Sequence, residues 1–499
     1  MKKSFSLIIL LSILGSSFGQ IRAIFNYTSY LIPENEPYIE TFLSIDPNSV
    51  NYVKVGNNYQ ANIEVLMVFK KDDKIVNYSK FDLQSPPEKD SIPASPNIID
   101  IQRIELTNGE LDFEITMKDL NSKGEASIYK DKILIQQPRD KVSLSGIQFI
   151  DRIEKSSSEN IFTKHGYDFY PYISDFFPEN VDKITVYAEI YNTKKIYGAE
   201  EAYLYNIFVE DFETERVIAN LSRTKREISS DVKPITQSFD ISNLPSGNYY
   251  LTMEVRNREN KVDAYNRVFF QRSNPNLELP EINIENLDIV NTFVESMTSI
   301  DTLAQYIDYL FPISTLMERT YALNLISKPK RRKKDEAVDV DRDALLLSMQ
   351  RYFLDFWTNR NETDPAKDWY EYKLNVDKVN KHYSTLNTKG YITDRGRAYL
   401  KYGEPNSINS QPHEPSSYPY EIWHYYQIKD QGNVRFVFYN RDLVTNDYEL
   451  LHSDARGELK DYQWQMKLQK RQNPSNDPNQ MDVSPYWGGR VRDYWNNPR

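Results

Sequence analysis

What most limits the architecture of this chain is the two-residue alternation of its apolar side chains through the first half. Ile63, Val65, Met67 and Phe69 recur at every second position, as do Ile184, Val186, Ala188 and Ile190 further on, and residues 38–45 follow the same rule. A strand sends successive side chains to opposite faces, so these runs specify sheets with a buried side. Asp46-Pro47-Asn48-Ser49 and Lys71-Asp72-Asp73 supply turns between them, and the proline-rich residues 85–96 cannot continue a central strand. One β-sandwich is expected over residues 20–138 and a second over 139–275.

Leu244-Pro245-Ser246-Gly247 running into Tyr249 and Tyr250 resembles the closing hairpin of immunoglobulin- and fibronectin-like sandwiches. Such modules act as spacers or contact surfaces. The 37 tyrosines suit half-buried strand positions in folds of this class.

The N-terminus carries Lys2 and Lys3, an apolar run over residues 7–14, and a small-residue exit ending at Gly19. This is the pattern of a secretory signal peptide over residues 1–19. Its apolar run is about half the ~20 residues a spanning helix needs, and no later stretch approaches that length, so no transmembrane segment is expected. The absence of cysteine excludes disulfides, thiolate metal sites and cysteine nucleophiles, and suits an oxidising compartment. A net charge of −11 argues against nucleic acid as a partner. About 480 residues remain after the signal, enough for roughly three domains.

Beyond Pro275 the period changes. Leu287, Val290, Phe293, Met297, Ile300, Leu303 and Ile307 recur every three or four residues, which predicts helix between residues 285 and 327. Lys328-Pro329-Lys330-Arg331-Arg332-Lys333-Lys334 then forms a basic loop, and residues 276–340 read as a helical linker. An α+β domain is expected over 341–472. Asp341 caps a helix bearing Leu345, Met349, Tyr352, Phe353 and Phe356, and Trp369, Tyr372, Val376 and Val379 mark a second. Residues 398–402 read as a strand closed by Gly403-Glu404-Pro405. Residues 421–428 and 434–439 flank a hairpin at Asp430-Gln431-Gly432-Asn433, and residues 448–452 supply a further strand.

Four ordered motifs stand in this region: Gly390-Tyr391-Ile392-Thr393-Asp394, Arg395-Gly396-Arg397, Tyr402-Gly403-Glu404-Pro405 and Tyr420-Glu421-Ile422-Trp423. Together they resemble the GWxTD-domain proteins over roughly residues 341–471. Two departures stand out: Tyr391 replaces the signature tryptophan, and Arg360-Asn361-Glu362 with a displaced Pro365 replaces an Arg-Asp-Pro run. The resemblance implies an exported envelope protein, periplasmic or peripherally associated with the outer membrane, in the setting of transport and secretion assemblies. It implies no established reaction.

Two functional readings follow. In one, the signature residues Gly390, Tyr391, Thr393, Asp394, Arg395, Gly396, Arg397, Tyr402, Gly403, Pro405, Glu421 and Trp423 hold a small sheet in shape, and the protein is a non-enzymatic scaffold for another envelope protein. In the other, Asp394 and Glu421, assisted by Arg395, Arg397 and His424, bind or hydrolyse a glycan. No cofactor is expected. The five histidines lack the spacing of a helical zinc site, and no nucleophile elbow or phosphate loop occurs. The polar tail over residues 473–499 carries Tyr486, Trp487, Tyr494 and Trp495, which either dock back on the domain or serve as partner contacts.

Overall fold

A computed structural model describes residues 21–32, 36–93, 97–124, 126–277, 282–327, 341–461, 463–470 and 490–496. The signal-peptide stretch, the basic loop after Lys328, and Tyr486 and Trp487 lie outside the described residues. The chain forms two compact units that divide after Gln137.

In the first unit, Ile63, Val65, Met67 and Phe69 of Asn62–Lys71 are fully buried, as their spacing predicts. They lie in one apolar cluster with Ile39, Leu43 and Ile45 of Tyr38–Ile45 and with Leu111, Phe113 and Ile115 of Gly109–Asp119. Each such side chain contributes roughly 1.5–3 kcal/mol when withdrawn from water. Two antiparallel sheets share that cluster. One orders Ala23–Tyr30, Tyr38–Ile45 and Ile98–Glu105; the other orders Lys74–Gln84, Asn62–Lys71, Gly109–Asp119 and Ser127–Ile135. Asp72 and Asp73 both take positive φ, 50° and 61°, which matches the twist a tight hairpin needs.

The second unit begins with two further sheets. Lys183–Tyr191 lies in one, and Ala202–Asp211, Gly247–Arg256 and Val262–Arg272 lie side by side in the other. Ile184, Val186, Ile190, Ile207, Leu251, Met253 and Val255 share the core between them.

The same unit continues into helices, and here the sequence reading needs correction. Between residues 285 and 327, α-helix occupies Ile300–Tyr309 and Leu316–Ser327, with a 3-10 turn at Phe311–Ile313 between them. Residues 285–299 run as successive turns, with Asn291 at positive φ and Ser299 capping the first helix through Thr302 N. Of the apolar period, Leu287, Phe293 and Met297 pack partly against the core while Val290 is 58% exposed, so the spacing marks neither a regular backbone nor a fully buried face. Nor is the segment a linker: Val294, Leu303, Ile307, Leu310, Ala322 and Leu325 belong to the same core as the helices that follow.

Asp341 accepts from Asp343 N and Ala344 N to start Arg342–Thr358, and Asp364 with Pro365 starts Pro365–Tyr383. The displaced proline is thus the first residue of the second helix. Residues 398–402 are helical, within Asp394–Tyr402, where a strand was expected. Five residues fit either period, and the Thr393 cap decides for helix.

A four-stranded antiparallel sheet closes the unit in the order Ser407–Gln411, Tyr420–Ile428, Gln431–Tyr439, Glu449–Ser453. Its central hairpin turns at Lys429 and Asp430, just before the expected position. Both faces are covered. Trp423, Tyr425, Phe436 and Phe438 join the core with the helices, while Tyr420, Ile422, Val437 and Leu451 gather Trp464 and Leu468 from the short helix Trp464–Leu468. The strands are therefore apolar on both sides.

Candidate functional site

The signature segment is built on backbone contact. Gly390–Ile392 forms a single 3-10 turn, and Thr393 then caps Asp394–Tyr402: its hydroxyl accepts from Gly396 N at 3.1 Å and donates to Gly390 O at 2.7 Å. A Cβ on Gly390 would stand 2.2 Å from Val379 O, inside the helix Pro365–Tyr383. The turn, the signature helix and that helix touch main chain to main chain, which only glycine permits. Gly396 serves close packing of this kind, not packing between strands.

Tyr391 is 2% exposed, lies edge-on to Tyr309 with ring centroids 4.9 Å apart, and donates its hydroxyl to Asp308. Burial, reinforced by that carboxylate, holds the phenol well above its ordinary pKa. The residue in the tryptophan position thus spans from the signature turn to the Ile300–Tyr309 helix.

Arg395 and Arg397, two apart on one helix, point to different carboxylates. Arg395 donates from Nη1 to Glu421 Oε1 at 3.0 Å and from Nη2 to Asn446 O at 2.7 Å, with its guanidinium 4.1 Å from the Tyr448 ring centroid. Glu421 Oε2 accepts from the Trp423 indole at 2.9 Å. Arg397 grips Glu458 with two parallel bonds of 2.8 and 2.7 Å, the geometry in which guanidinium and carboxylate bind most strongly. Tyr402 donates to the same carboxylate at 2.7 Å, and Lys401 lies 3.5 Å from it. Burial pushes Glu458 upward, but the bonds from Arg397, the Lys401 charge and Tyr402 outweigh it and hold the carboxyl below its ordinary value. Lys401 also pairs with Glu213 at 2.8 Å, so the lattice runs into the sheets that open this unit.

Asp394 accepts from Leu450 N at 2.7 Å and approaches Arg397 at 3.9 Å. It thereby anchors the edge strand, while Glu421 is occupied by Arg395 and Trp423. The two carboxylates that a glycosidic mechanism would pair are engaged separately. His424, which burial pushes below its ordinary pKa, shares a bond of 2.8 Å with Asn433, and His452 accepts from Asp461 N. Among the described residues no three histidines or carboxylates are placed to hold a metal ion. No described helix is long and apolar enough to cross a membrane.

Residues 311–471 match the GWxTD domain family. This C-terminal region is a GWxTD domain. The match reaches back to Phe311, and the structure supplies a reason: Arg360, where the motif departs from Arg-Asp-Pro, holds Glu318 with bonds of 2.8 and 2.9 Å and ties Leu316–Ser327 to Arg342–Thr358. Gly403, at φ 84°, ends the signature helix, and its carbonyl accepts from Tyr425. Tyr494 and Trp495, on Val491–Asn496, pack against the outer face of the GWxTD sheet, with Trp495 4.9 Å from Trp464 and 5.3 Å from His452.

Sequence reasoning missed Asp308, Glu318 and Glu458. Each is a buried or bonded acid whose partner is 42 to 83 residues away, and no local period marks such a pairing.

None of the curated proteins matches the chain. Among solved structures it is similar to a red sea bream transglutaminase (8% identity, 51% of this chain and 31% of that one, TM-score 0.17). It is also similar to the fibronectin(III)-like modules of Clostridium thermocellum CbhA (10%, 49% and 90%, 0.14) and to a glycosyl hydrolase family 2 member from Bacteroides cellulosilyticus (10%, 48% and 28%, 0.19). The chain spans less than a third of either enzyme, and TM-scores this low assign neither fold nor activity.

Proposed function

We propose that this is an exported cell-envelope accessory protein, a scaffold that presents a rigid surface to another envelope protein, periplasmic or at the outer membrane. The observation that carries this reading is the fate of the signature charges. Arg395 and Arg397 are spent on Glu421 and Glu458 inside the fold, so the motif works to hold helix, sheet and neighbouring β-sheets in one body. The preceding β regions serve as immunoglobulin- or fibronectin-type spacers. In support of that type, the Tyr249 hydroxyl bonds back to Pro245 O at 2.9 Å, the corner found in such sandwiches. The glycan reading needs Asp394 and Glu421 open to one cleft, and their separate partners weigh against it.

Affinity isolation of the full chain from gently solubilised envelopes tests the proposal. A defined outer-membrane or periplasmic protein should co-purify in fixed proportion. Repeated recovery of the chain alone would remove the reading.

A further inference from the structure

Residues 440–447 join the last two strands of the GWxTD sheet, and their backbone is held from within. Asn440 is buried; its side chain accepts from Leu443 N at 3.1 Å and donates to Thr445 O, while its own N–H donates to Pro419 O at 2.8 Å. Asp442 Oδ1 accepts from Val444 N and Thr445 N, each at 3.0 Å, and the Thr445 hydroxyl closes the turn on Asp442 Oδ2. At the far end, Asn446 O takes the 2.7 Å bond from Arg395. A signature arginine thus acts as a positioning residue for this loop.

What the network holds in place is unusual. Leu443 has φ 60°, and among the described residues it is the one apolar side chain at positive φ. A branched apolar residue adopts that region only where its surroundings impose it. Leu443 is nonetheless 56% exposed and Val444 87% exposed. The strain opposes folding and the exposed apolar surface gains little burial in return, while pre-organised apolar anchors are the feature that lowers the entropic cost of binding.

We propose that residues 440–447 are the contact tip of the domain, with Leu443 and Val444 entering an apolar recess on a partner protein whose rim is basic. The rim follows from charge. Within residues 440–449 Asp442, Asp447 and Glu449 stand against Arg441, the Arg395 guanidinium at Asn446 O being paired with Glu421, and the chain as a whole carries −11, which disfavours an anionic lipid surface. This inference rests on the scaffold reading above and names the surface that reading leaves open.

The test uses the full chain and the protein recovered with it by affinity isolation. In the double variant Leu443→Asp, Val444→Asp recovery of that protein should fall about tenfold or more, with the melting temperature not lowered, since aspartate also tolerates the left-handed conformation. Leu443→Asn, which suits the left-handed conformation, should raise the melting temperature while reducing recovery. A photo-crosslinking residue at position 444 should yield one discrete adduct with the same partner. Undiminished recovery with both variants would overturn the tip and leave the scaffold reading intact; no partner with the unaltered chain would overturn both. An adduct with a second copy of this chain would also overturn it. So would co-sedimentation with phosphatidylethanolamine–phosphatidylglycerol vesicles that the double variant abolishes.

Discussion

The carbonyl oxygen of Gly390 lies 1.8 Å from where a Cβ on Gly396 would stand, far closer than a carbon and an oxygen can approach without a bond. Neither glycine has a positive φ, so it is space and not backbone freedom that demands them. Gly396→Ala must push the signature turn off its helix. A loss of about 3 kcal/mol or more is expected, read as a lower urea midpoint at unchanged slope. A shift below about 0.5 kcal/mol would show that the contact is looser than described.

Arg397 and Glu458 form a largely buried pair, with the Glu458 side chain 5% exposed. Removing one member strands the other, so Arg397→Ala or Glu458→Gln should cost about 3–5 kcal/mol, whereas replacing both with apolar residues of similar volume should cost much less. A double-mutant cycle in denaturant measures this.

The same pair sets a pH dependence. Because the folded carboxyl of Glu458 lies below its ordinary value of 4.5, its contribution is complete above that pH and is lost as the pH falls through the depressed folded value. Thermal melts between about pH 6 and pH 3 should therefore fall more steeply for the unaltered chain than for Glu458→Gln. Parallel slopes would separate Glu458 from acid unfolding.

Asp430, in the turn of the central hairpin, accepts from Tyr250 at 2.6 Å and from Arg456 at 2.6 Å, with Arg267 at 3.6 Å. Two of these partners, Tyr250 and Arg267, come from neighbouring strands of one sheet that opens the unit, so one turn joins the GWxTD domain to it. Asp430→Ala should weaken that junction by about 2 kcal/mol and split one calorimetric transition of this unit into two. A single unshifted transition would count against the junction.

Trp495 lies against Trp464 and His452, with the Arg435 guanidinium 5.1 Å from its ring centroid. Trp495→Ala should release the helix Val491–Asn496, seen as faster amide exchange there and in Trp464–Leu468, at a cost of about 2 kcal/mol. Unchanged exchange would mean that the helix docks without its tryptophan.

Ile63, Val65 and Met67, like Ile184, Val186 and Ile190, announce strands by themselves, because a two-residue period needs no knowledge of what lies opposite. Asp341 announces a helix start for a similar reason: a cap satisfies amides within three residues of itself. The short stretch 398–402 and the turns of 285–299 were misread. The first is too brief to fix a period, and the second packs Leu287, Phe293 and Met297 partly against the core from successive turns without a regular backbone.

The sequence alone thus determined where the long strands and the two long helices arise, that the chain is cysteine-free and acidic, and which residues form the GWxTD signature. Only the tertiary structure decided what those residues do: that Arg395 meets Glu421 and Asn446, that Arg397 meets Glu458, and that Gly390 and Gly396 exist to let three segments touch. The physical reason is range. Capping and periodicity act within a turn or two of chain, whereas ion pairs and close contacts join residues that only folding brings together.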